Sequence, residues 1–167
     1  MTQAAAPAEG FLLPLGDEES DGFWEGTAAG ELRVQACGAC GALRFPPRVM
    51  CPECRSTDRR WVAVSGRGKI WSFVVIHPPV LPAYAPYVPF PVITVTLAEK
   101  PSLRMVGNLV TGPGGDINAV EPTFISISEP VPVILMARQR PKRTDVYLSQ
   151  WVRDNGTETT EGQPAKL

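Results

Sequence analysis

Four cysteines are the residues whose type and spacing in this sequence can do chemistry. They form two Cys-x-x-Cys pairs, Cys37 with Cys40 and Cys51 with Cys54, and ten residues separate the pairs. Each pair can place two thiolates on one side of a tight turn, and two facing turns give a tetrahedral sulfur cage with Zn–S distances of about 2.3 Å. Four thiolates leave no open position for water or substrate. The spacing therefore predicts one structural Zn²⁺ per chain that does no chemistry itself.

Three other uses of these cysteines fit the sequence less well. A rubredoxin-type iron site would use the same four thiolates, because soft S4 cages accept either metal. Two disulfides are disfavoured, since no secretory signal is present and intracellular thiols stay reduced. Redox catalysis by a single Cys-x-x-Cys pair is disfavoured because no βαβ pattern surrounds either pair.

Short strands would have to position the sulfurs. Gly41 directly follows Cys40 and suits the turn that holds the first pair, because glycine lets backbone N–H groups approach the sulfurs. A Zn(Cys)4 unit carries a charge of −2, which the nearby Arg44, Arg48 and Arg55 could offset, unless they form only a solvated basic surface. The strands predicted for this ribbon are 31–35, 42–45 and 60–64.

A short helix is predicted to begin near Asp21, with Asp21 itself as its N-cap. It carries two large apolar side chains, Phe23 and Trp24, in a glycine-rich setting. They either cover the edge of the ribbon or contact a partner or substrate.

The rest of the chain reads as a small barrel. Short apolar runs alternate with glycine- and proline-rich turns at regular spacing, a pattern that favours a closed barrel over a sandwich. The loop from Pro78 to Pro91 holds six prolines, is predicted not to pair as sheet, and presents Tyr84 and Tyr87 as candidate contact residues. The strand candidates are 70–77, 92–97, 103–110, 124–127, 131–136 and 146–148 with Trp151.

Composition limits the remaining classes. The chain has 167 residues, 44% of them hydrophobic, and a formal net charge of −1, so no overall field favours nucleic acid or an anionic membrane. No run of 18 apolar residues could cross a bilayer. The first ten residues lack the positive start and long apolar run of a signal peptide, which makes the cytoplasm the expected compartment.

Catalytic machinery is hard to assemble from these residues. His77 is the one histidine, no Gly-x-Ser-x-Gly turn occurs, and metal binding would occupy every cysteine. The sequence therefore does not predict a self-sufficient enzyme, and His77 is kept only as a contact candidate. Single-stranded nucleic-acid binding is the alternative function. It would use stacking aromatics at Trp71, Phe73, Tyr84 and Tyr87 and the basic residues Arg138, Arg140, Lys142 and Arg143.

A family resemblance emerges from the order of these features. The chain closely resembles the acyl-CoA-associated family that has an N-terminal rubredoxin-like zinc ribbon and a C-terminal OB-fold, long catalogued as a domain of unknown function. The match spans roughly residues 22 to 153. The motifs that carry it are Phe23-Trp24-Glu25-Gly26, Gly30-Glu31-Leu32, Cys37-x-x-Cys40-Gly41, Phe45-Pro46-Pro47-Arg48, Cys51-Pro52-x-Cys54, Trp61 and Ser65-Gly66-Arg67-Gly68.

The resemblance implies a function in a complex. Members of the family are non-catalytic companions of thiolase-fold enzymes, among them steroid side-chain aldolases, thiolases and acyltransferases. It implies a structural zinc, a thiolase-fold partner that holds the catalytic residues, a hetero-oligomer such as a heterotetramer, and an acyl-CoA near the interface. Steroid side-chain degradation is one setting of this kind. Neither nucleic acid nor membrane is an expected partner.

The predicted fold is mainly β: a short helix and a rubredoxin-like zinc ribbon, then a five-stranded OB-fold barrel. The predicted divisions are a flexible arm over 1–20, helix and ribbon over 21–65, OB-fold over 66–153 and a disordered tail over 154–167. Two turns depart from the family pattern. Glu99-Lys100-Pro101 replaces an acidic-Gly turn, and Ile127-Ser128-Glu129-Pro130-Val131 replaces Ile-Gly-x-x-Val.

Overall fold

The computed structural model describes residues 14, 16–140 and 143–153, without the side chains of 134–140 and 143–147. The predicted arm over 1–20 lies partly outside these residues, and the predicted tail over 154–167 lies wholly outside them. Within the described residues the chain is mainly β, as predicted. The helix and strands are α1 Asp21–Ala28, β1 Arg33–Cys37, β2 Leu43–Arg44, β3 Arg59–Ala63, β4 Arg67–Ile76, β5 Phe90–Leu97, β6 Arg104–Val110, β7 Pro130–Arg140 and β8 Arg143–Val152.

The first three strands form the ribbon sheet, in the order β2-β1-β3. β1 pairs antiparallel with β2 and β3, which confirms the predicted hairpin around the first cysteine pair. Cys37 stands opposite Arg59 at the end of β1, so the sheet carries its first sulfur directly into the cysteine cluster. Val34 and Ala36 on the same strand are fully buried and anchor that strand in the core.

The other five strands close into a barrel in the order β4-β5-β6-β8-β7, and β4 pairs again with β7. All pairs are antiparallel except β6 with β8, where Leu109 faces Trp151 and Val110 faces Val152. A five-stranded barrel of this kind is the predicted OB-fold. Its interior is filled by alternate residues of the strands, such as Ile93, Val95 and Leu97 on β5, and by Trp151, which is fully buried.

Helix α1 lies against both the ribbon and the barrel, since it contacts β1, β3 and β8. Its N-cap is Ser20 and not the predicted Asp21, because the chain first makes a tight turn in which Asp17 Oδ1 accepts the Ser20 N–H at 2.8 Å. Gly22 faces Trp61 of β3 so closely that a β-carbon there would overlap the indole ring. In the described part of the chain, no helix has the length and apolar character that crossing a bilayer requires.

Two local predictions were wrong. Residues 124–127 do not form a strand; a short 3-10 helix over Pro122–Phe124 leads into a turn there, and Phe124 is 68% exposed. The loop after β4 is also shorter than predicted, because β5 begins at Phe90 and Pro91 pairs with Val75. A proline is tolerated at a strand start, and the Pro91 carbonyl accepts the Asn108 side-chain N–H at 3.3 Å.

The two turns that depart from the family pattern have clear structural roles. Glu99 Oε1 accepts the Ser65 N–H at 2.6 Å, which ties the β5–β6 turn to the segment between ribbon and barrel. Ser128 has a φ of +69°, and its N–H donates to the Ile70 carbonyl at 2.7 Å. A serine with a left-handed backbone therefore stands where the family pattern has glycine.

Candidate metal centre

The four cysteine sulfurs come together at one end of the ribbon sheet, all within 4.8 Å of one another. Cys37 Sγ lies 3.5 Å from Cys54 Sγ, and Cys40 Sγ lies 3.7 Å from Cys51 Sγ. A tetrahedron of thiolates around Zn²⁺ would have S–S edges of about 3.8 Å, from Zn–S bonds of about 2.3 Å. The donor set and its spacing thus fit a single metal ion. All four cysteines are free thiols, so the disulfide alternative is not present in this structure.

Two turns of the same shape hold these sulfurs. In the first, Gly41 donates its N–H to the Cys37 carbonyl at 3.0 Å, and in the second Arg55 donates to the Cys51 carbonyl at 2.9 Å. Gly41 has a φ of +75°, which confirms the turn predicted from its position after Cys40. Arg55 has a φ of +64° in the matching place. Cys37 and Cys51 are buried and their partners exposed, so each turn contributes one inner and one outer sulfur.

The electrostatics of the cluster call for a cation. The backbone N–H of Cys40, 3.5 Å from Cys37 Sγ, lowers the pKa of Cys37 to about 6. The backbone N–H of Ser56 would lower the pKa of Cys54, but the neighbouring sulfurs of Cys37 and Cys40 raise it to about 12. The cluster therefore holds some thiolate charge readily and resists carrying four negative charges alone. A divalent metal would supply the missing compensation and release the remaining protons.

Arg44, one of the three arginines that could offset the charge of the sulfurs, makes its described hydrogen bonds within the ribbon. It is buried, and its Nε donates to Gln35 Oε1, which also accepts the Arg48 N–H at 3.0 Å. This pairing joins β1, β2 and the following loop behind the cysteine turns.

The other predicted contact residues lie in three different places. His77 is exposed just after β4, and among the described residues no hydrogen bond or ion pair involves it. Tyr84 and Tyr87 belong to a 3-10 helix over Pro82–Tyr87 and pack, partly buried, near Phe90. Phe23 is 6% exposed and joins the main core, so little of its side chain is free to meet a partner.

Trp24 is partly buried beside Phe23 and lines a cleft of about 340 Å³ between α1 and the barrel. The barrel side of this cleft includes Met105, Asn108 and Gln150, none of which the sequence singled out. No sequence signal could have found the cleft, because its walls come from residues more than one hundred positions apart.

The structure describes only some of the residues that were predicted to bind a single-stranded nucleic acid. Trp71 on β4 is 51% exposed, and the Arg104 guanidinium lies 3.7 Å from the centre of its ring. The proposed basic residues are outside what the structure describes: Lys142 is not described at all, and the side chains of Arg138, Arg140 and Arg143 are not described.

A cysteine-rich ribbon followed by a closed five-stranded barrel defines a class, the proteins built from a rubredoxin-like zinc ribbon and an OB-fold. Comparison with known families agrees. Residues 24–58 match the family described as "ChsH2, rubredoxin-like zinc ribbon domain", and residues 61–125 match "ChsH2, C-terminal OB-fold domain". The chain belongs to this ChsH2/DUF35 family, as the resemblance in its sequence predicted.

Individual relatives carry names of two kinds. The chain is 34% identical over 123 residues, 74% of its length and 35% of the relative's, to the "3-oxo-4,17-pregnadiene-20-carboxyl-CoA hydratase alpha subunit" of Mycobacterium tuberculosis. It is 37% identical over 110 residues, 65% of its length and 31% of the relative's, to a "Probable enoyl-CoA hydratase alpha subunit" of Thermomonospora curvata. The chain thus spans about a third of these two relatives. A "DUF35 domain-containing scaffold protein" of Methanocaldococcus jannaschii is 33% identical over 99 residues, which cover 56% of this chain and 67% of that one.

One solved structure is similar along almost its whole length. A chain of the "Ltp2-ChsH2(DUF35) aldolase" superposes with a TM-score of 0.66 at 30% sequence identity. The superposition covers 84% of this chain and 98% of that one. A chain of this fold has therefore been solved in a structure whose name joins Ltp2 with ChsH2(DUF35) as an aldolase.

Proposed function

We propose that the cysteine cluster binds one Zn²⁺ through Cys37, Cys40, Cys51 and Cys54, and that this ion has a structural role. The sulfur spacing and the rubredoxin-like zinc ribbon match support the assignment. Zinc is preferred over iron because it fits a closed S4 site in which no redox chemistry is needed. When bound, the ion would supply charge compensation and crosslink the two cysteine turns. Cys37 and Cys51 would hold it from the core side, and Cys40 and Cys54 from the solvent side.

Metal analysis of the purified chain tests this assignment. We expect about one equivalent of zinc per chain, and its loss in Cys40→Ser. Structural zinc sites contribute an apparent binding free energy of about 10–16 kcal/mol, so the variant should also lose amide hydrogen-exchange protection over the ribbon strands β1 to β3. Thr57→Ser, an exposed position of the same loop, is the matched control and should change neither value. Iron at one equivalent, or full protection in Cys40→Ser, would contradict the proposal.

We infer that the chain is a non-catalytic subunit of a thiolase-fold enzyme that acts on acyl-CoA. The observation that carries this inference is the similarity to a chain of the Ltp2-ChsH2(DUF35) aldolase over 98% of that chain. The scaffold name of the archaeal relative and the hydratase alpha-subunit names of the two bacterial relatives agree with a role in an acyl-CoA complex. Aldolase, thiolase and acyltransferase partners all fit, and a steroid-derived acyl-CoA is the substrate that the mycobacterial relative's name suggests.

The chain's own residues support a non-catalytic part. With four thiolates on the metal, no cysteine remains as a nucleophile, and no described residue pairs with His77 as a base would require. The partner enzyme would then hold the catalytic groups, with the acyl-CoA near the interface of a hetero-oligomer such as a heterotetramer. A cytoplasmic location follows from this proposal, because acyl-CoA metabolism is intracellular.

The proline-rich segment after β4 is our candidate docking surface. Leu81 there is 58% exposed beside the 3-10 helix that carries Tyr84 and Tyr87, and His77 and Trp24 are further candidate contacts. A stiff, proline-rich segment can present side chains to a partner with little loss of entropy on binding. Tyr84 and Tyr87 would make this surface more rigid, because they pack in the cluster that contains Phe90.

Co-expression with the thiolase-fold enzymes of the source organism tests the complex. We expect one of them to co-elute with this chain as a hetero-oligomer, and acyl-CoA turnover to require both chains. Leu81→Asp should raise the apparent Kd of the complex at least tenfold. Ile127 is 55% exposed in another loop, so Ile127→Asp is the control and should leave the Kd unchanged. Failure of every thiolase-fold enzyme to co-elute would overturn the proposed function. Equal effects of the two variants would overturn only the docking surface.

A single-stranded nucleic acid is the second candidate ligand, and the exposed Trp71 with Arg104 over it is the observation that favours it. An exposed indole beside a guanidinium can stack on a base and contact a phosphate. Fluorescence anisotropy with a labelled oligo-dT should then report binding that weakens steeply with salt and is lost in Trp71→Ala. Absence of salt-dependent binding would remove this candidate.

A further inference from the structure

The cleft between α1 and the barrel has the make-up of a small-molecule site. Its volume of about 340 Å³ lies at the lower end of the range typical of ligand pockets. One wall is aromatic, from Phe23 and Trp24 on α1 and Phe45 in the loop after β2. The opposite wall consists of barrel residues, including Met105 and Val106 of β6. The rings are tilted to one another, by 81° between Phe23 and Trp24 and by 49° between Phe23 and Phe45, so they would surround an apolar body rather than offer it one flat face.

Gln150 supplies a single unsatisfied polar group in this cleft. The residue lines the cleft and is 3% exposed, and its Oε1 atom is buried without a hydrogen-bond partner among the described residues. Side chains alternate along a strand, so Gln150 points away from the barrel interior that Trp151 fills and toward α1. A buried acceptor without a donor is costly, and such groups in native structures call for an explanation. A ligand that donates one hydrogen bond would provide it.

The uncharged lining of the cleft favours a neutral ligand. None of the described residues that line the cleft is ionisable, and its remaining polar members among them are Ser20, Asn108 and Ser149. A charged ligand would lose its hydration without gaining an ion pair, whereas a neutral ligand would lose little.

We propose that the cleft binds a neutral, mainly apolar small molecule whose hydroxyl or amide N–H donates a hydrogen bond to Gln150 Oε1. The ligand would lie with its ring or chain between the aromatic residues of α1 and the outer face of β6 and β8. This proposal does not depend on the proposed partner enzyme. Since α1 contacts both the ribbon and the barrel, the ligand would also fix how the two pack together.

Three naphthalene probes of nearly equal size test the proposal on the full chain, with isothermal titration calorimetry as the measurement. 1-Naphthol can donate a hydrogen bond, 1-methoxynaphthalene can only accept one, and 1-methylnaphthalene can do neither. We expect 1-naphthol to bind about threefold to tenfold more tightly than 1-methylnaphthalene, as one net hydrogen bond implies. In Gln150→Leu that preference should vanish or reverse. The chemical shift of the Trp24 indole N–H should move on binding in both proteins.

Several results would overturn the proposal. No binding of any probe at its solubility limit would show that the cleft does not take ligands of this kind. Tighter binding of 1-methoxynaphthalene than of 1-naphthol would show that the glutamine presents its N–H. Binding that appears only after deletion of residues 1–13 would assign the cleft to the chain's own N-terminal segment. If Gln150→Leu does not fold, the ranking of the three probes on the unaltered chain still decides the question.

Discussion

Gly41 and Arg55 occupy the same position in the two cysteine turns, and both have a left-handed backbone with φ values of +75° and +64°. Each donates its N–H to the carbonyl of the first cysteine of its turn. Glycine takes this conformation freely, whereas any other residue pays about 1–2 kcal/mol for it. The second turn therefore holds strain that the first turn avoids.

This asymmetry predicts opposite effects for exchanges at the two positions. Gly41→Ala should lower the free energy of unfolding by about 1 kcal/mol, because alanine must adopt a positive φ. Arg55→Gly should leave it unchanged or raise it by up to about 1 kcal/mol, since relief of strain outweighs the greater freedom of glycine when unfolded. Denaturant unfolding of the metal-loaded protein is the measurement. Equal destabilisation by both exchanges would show that Arg55 is not strained at its positive φ.

Ser128 offers a test of the same kind in the barrel. Its φ is +69° and its N–H is bonded to the Ile70 carbonyl at 2.7 Å, so the backbone there cannot relax without losing a bond to β4. We expect Ser128→Gly to raise the unfolding free energy by about 0.5–1 kcal/mol. Ser126→Gly, an exposed neighbour that has an ordinary φ, is the control and should be neutral or destabilising. A loss of stability in Ser128→Gly would contradict the strain argument.

The close approach of α1 to the ribbon can be tested by placing a larger residue at Gly22. A β-carbon at Gly22 would overlap the Trp61 indole, so Gly22→Ala should cost about 1–3 kcal/mol despite alanine's better helix propensity. Thermal unfolding is the measurement, and Glu25→Ala on the exposed face of α1 is the control. Replacing Trp61 by leucine in the Gly22→Ala background should recover part of the loss. Without such recovery, steric overlap with Trp61 would not be the cause.

Glu99 predicts a pH dependence. Its partial burial would raise its pKa, but the hydrogen bonds from Ser65 outweigh burial and lower the pKa below the ordinary value of 4.5. A group whose folded pKa is lowered adds stability above its unfolded pKa and loses it as the pH falls through the folded value. The unaltered chain should therefore be more stable than Glu99→Gln at pH 7, and the difference should shrink below pH 4.5 and vanish in stronger acid.

Urea unfolding at several pH values measures this effect. Asp116→Asn is a suitable control, because Asp116 is an exposed carboxylate in the loop after β6. A difference between the unaltered chain and Glu99→Gln that stays constant from pH 7 down to pH 3 would show that the carboxylate charge contributes nothing.

The sequence was most informative where one local pattern determines the structure. The cysteine spacing and Gly41 were enough to predict the sulfur cluster and its first turn, and apolar runs on either side of a turn located β5 and β6. The family motifs added the OB-fold. The strain at Arg55 could not be predicted, because an arginine after a cysteine carries no sign of a positive φ. The Ser65–Glu99 bond could not either, since it links positions 34 residues apart.

The remaining errors have physical causes of the same type. Residues 124–127 are mostly apolar, like the runs that do form strands, yet Pro122–Phe124 is a short 3-10 helix and a turn follows it. The hydrogen bond from Arg44 to Gln35 could not be predicted, because nine positions separate the two residues in the chain. Gln150 and the cleft it lines required the packing of α1 on β8, which no local pattern encodes.

The parallel pair that closes the barrel sets an order of events during synthesis. β8 contributes Trp151 and Val152 to that pair, and it is the last of the described strands along the chain. The ribbon is complete at Ala63, so its cysteines can capture an ion on a ribosome-bound chain about ninety residues before the barrel can shut. If the cluster binds zinc as proposed, metal supply would act on the first half of the polypeptide while the second half is still being made, and α1 would meet its ribbon contacts before its barrel contact on β8.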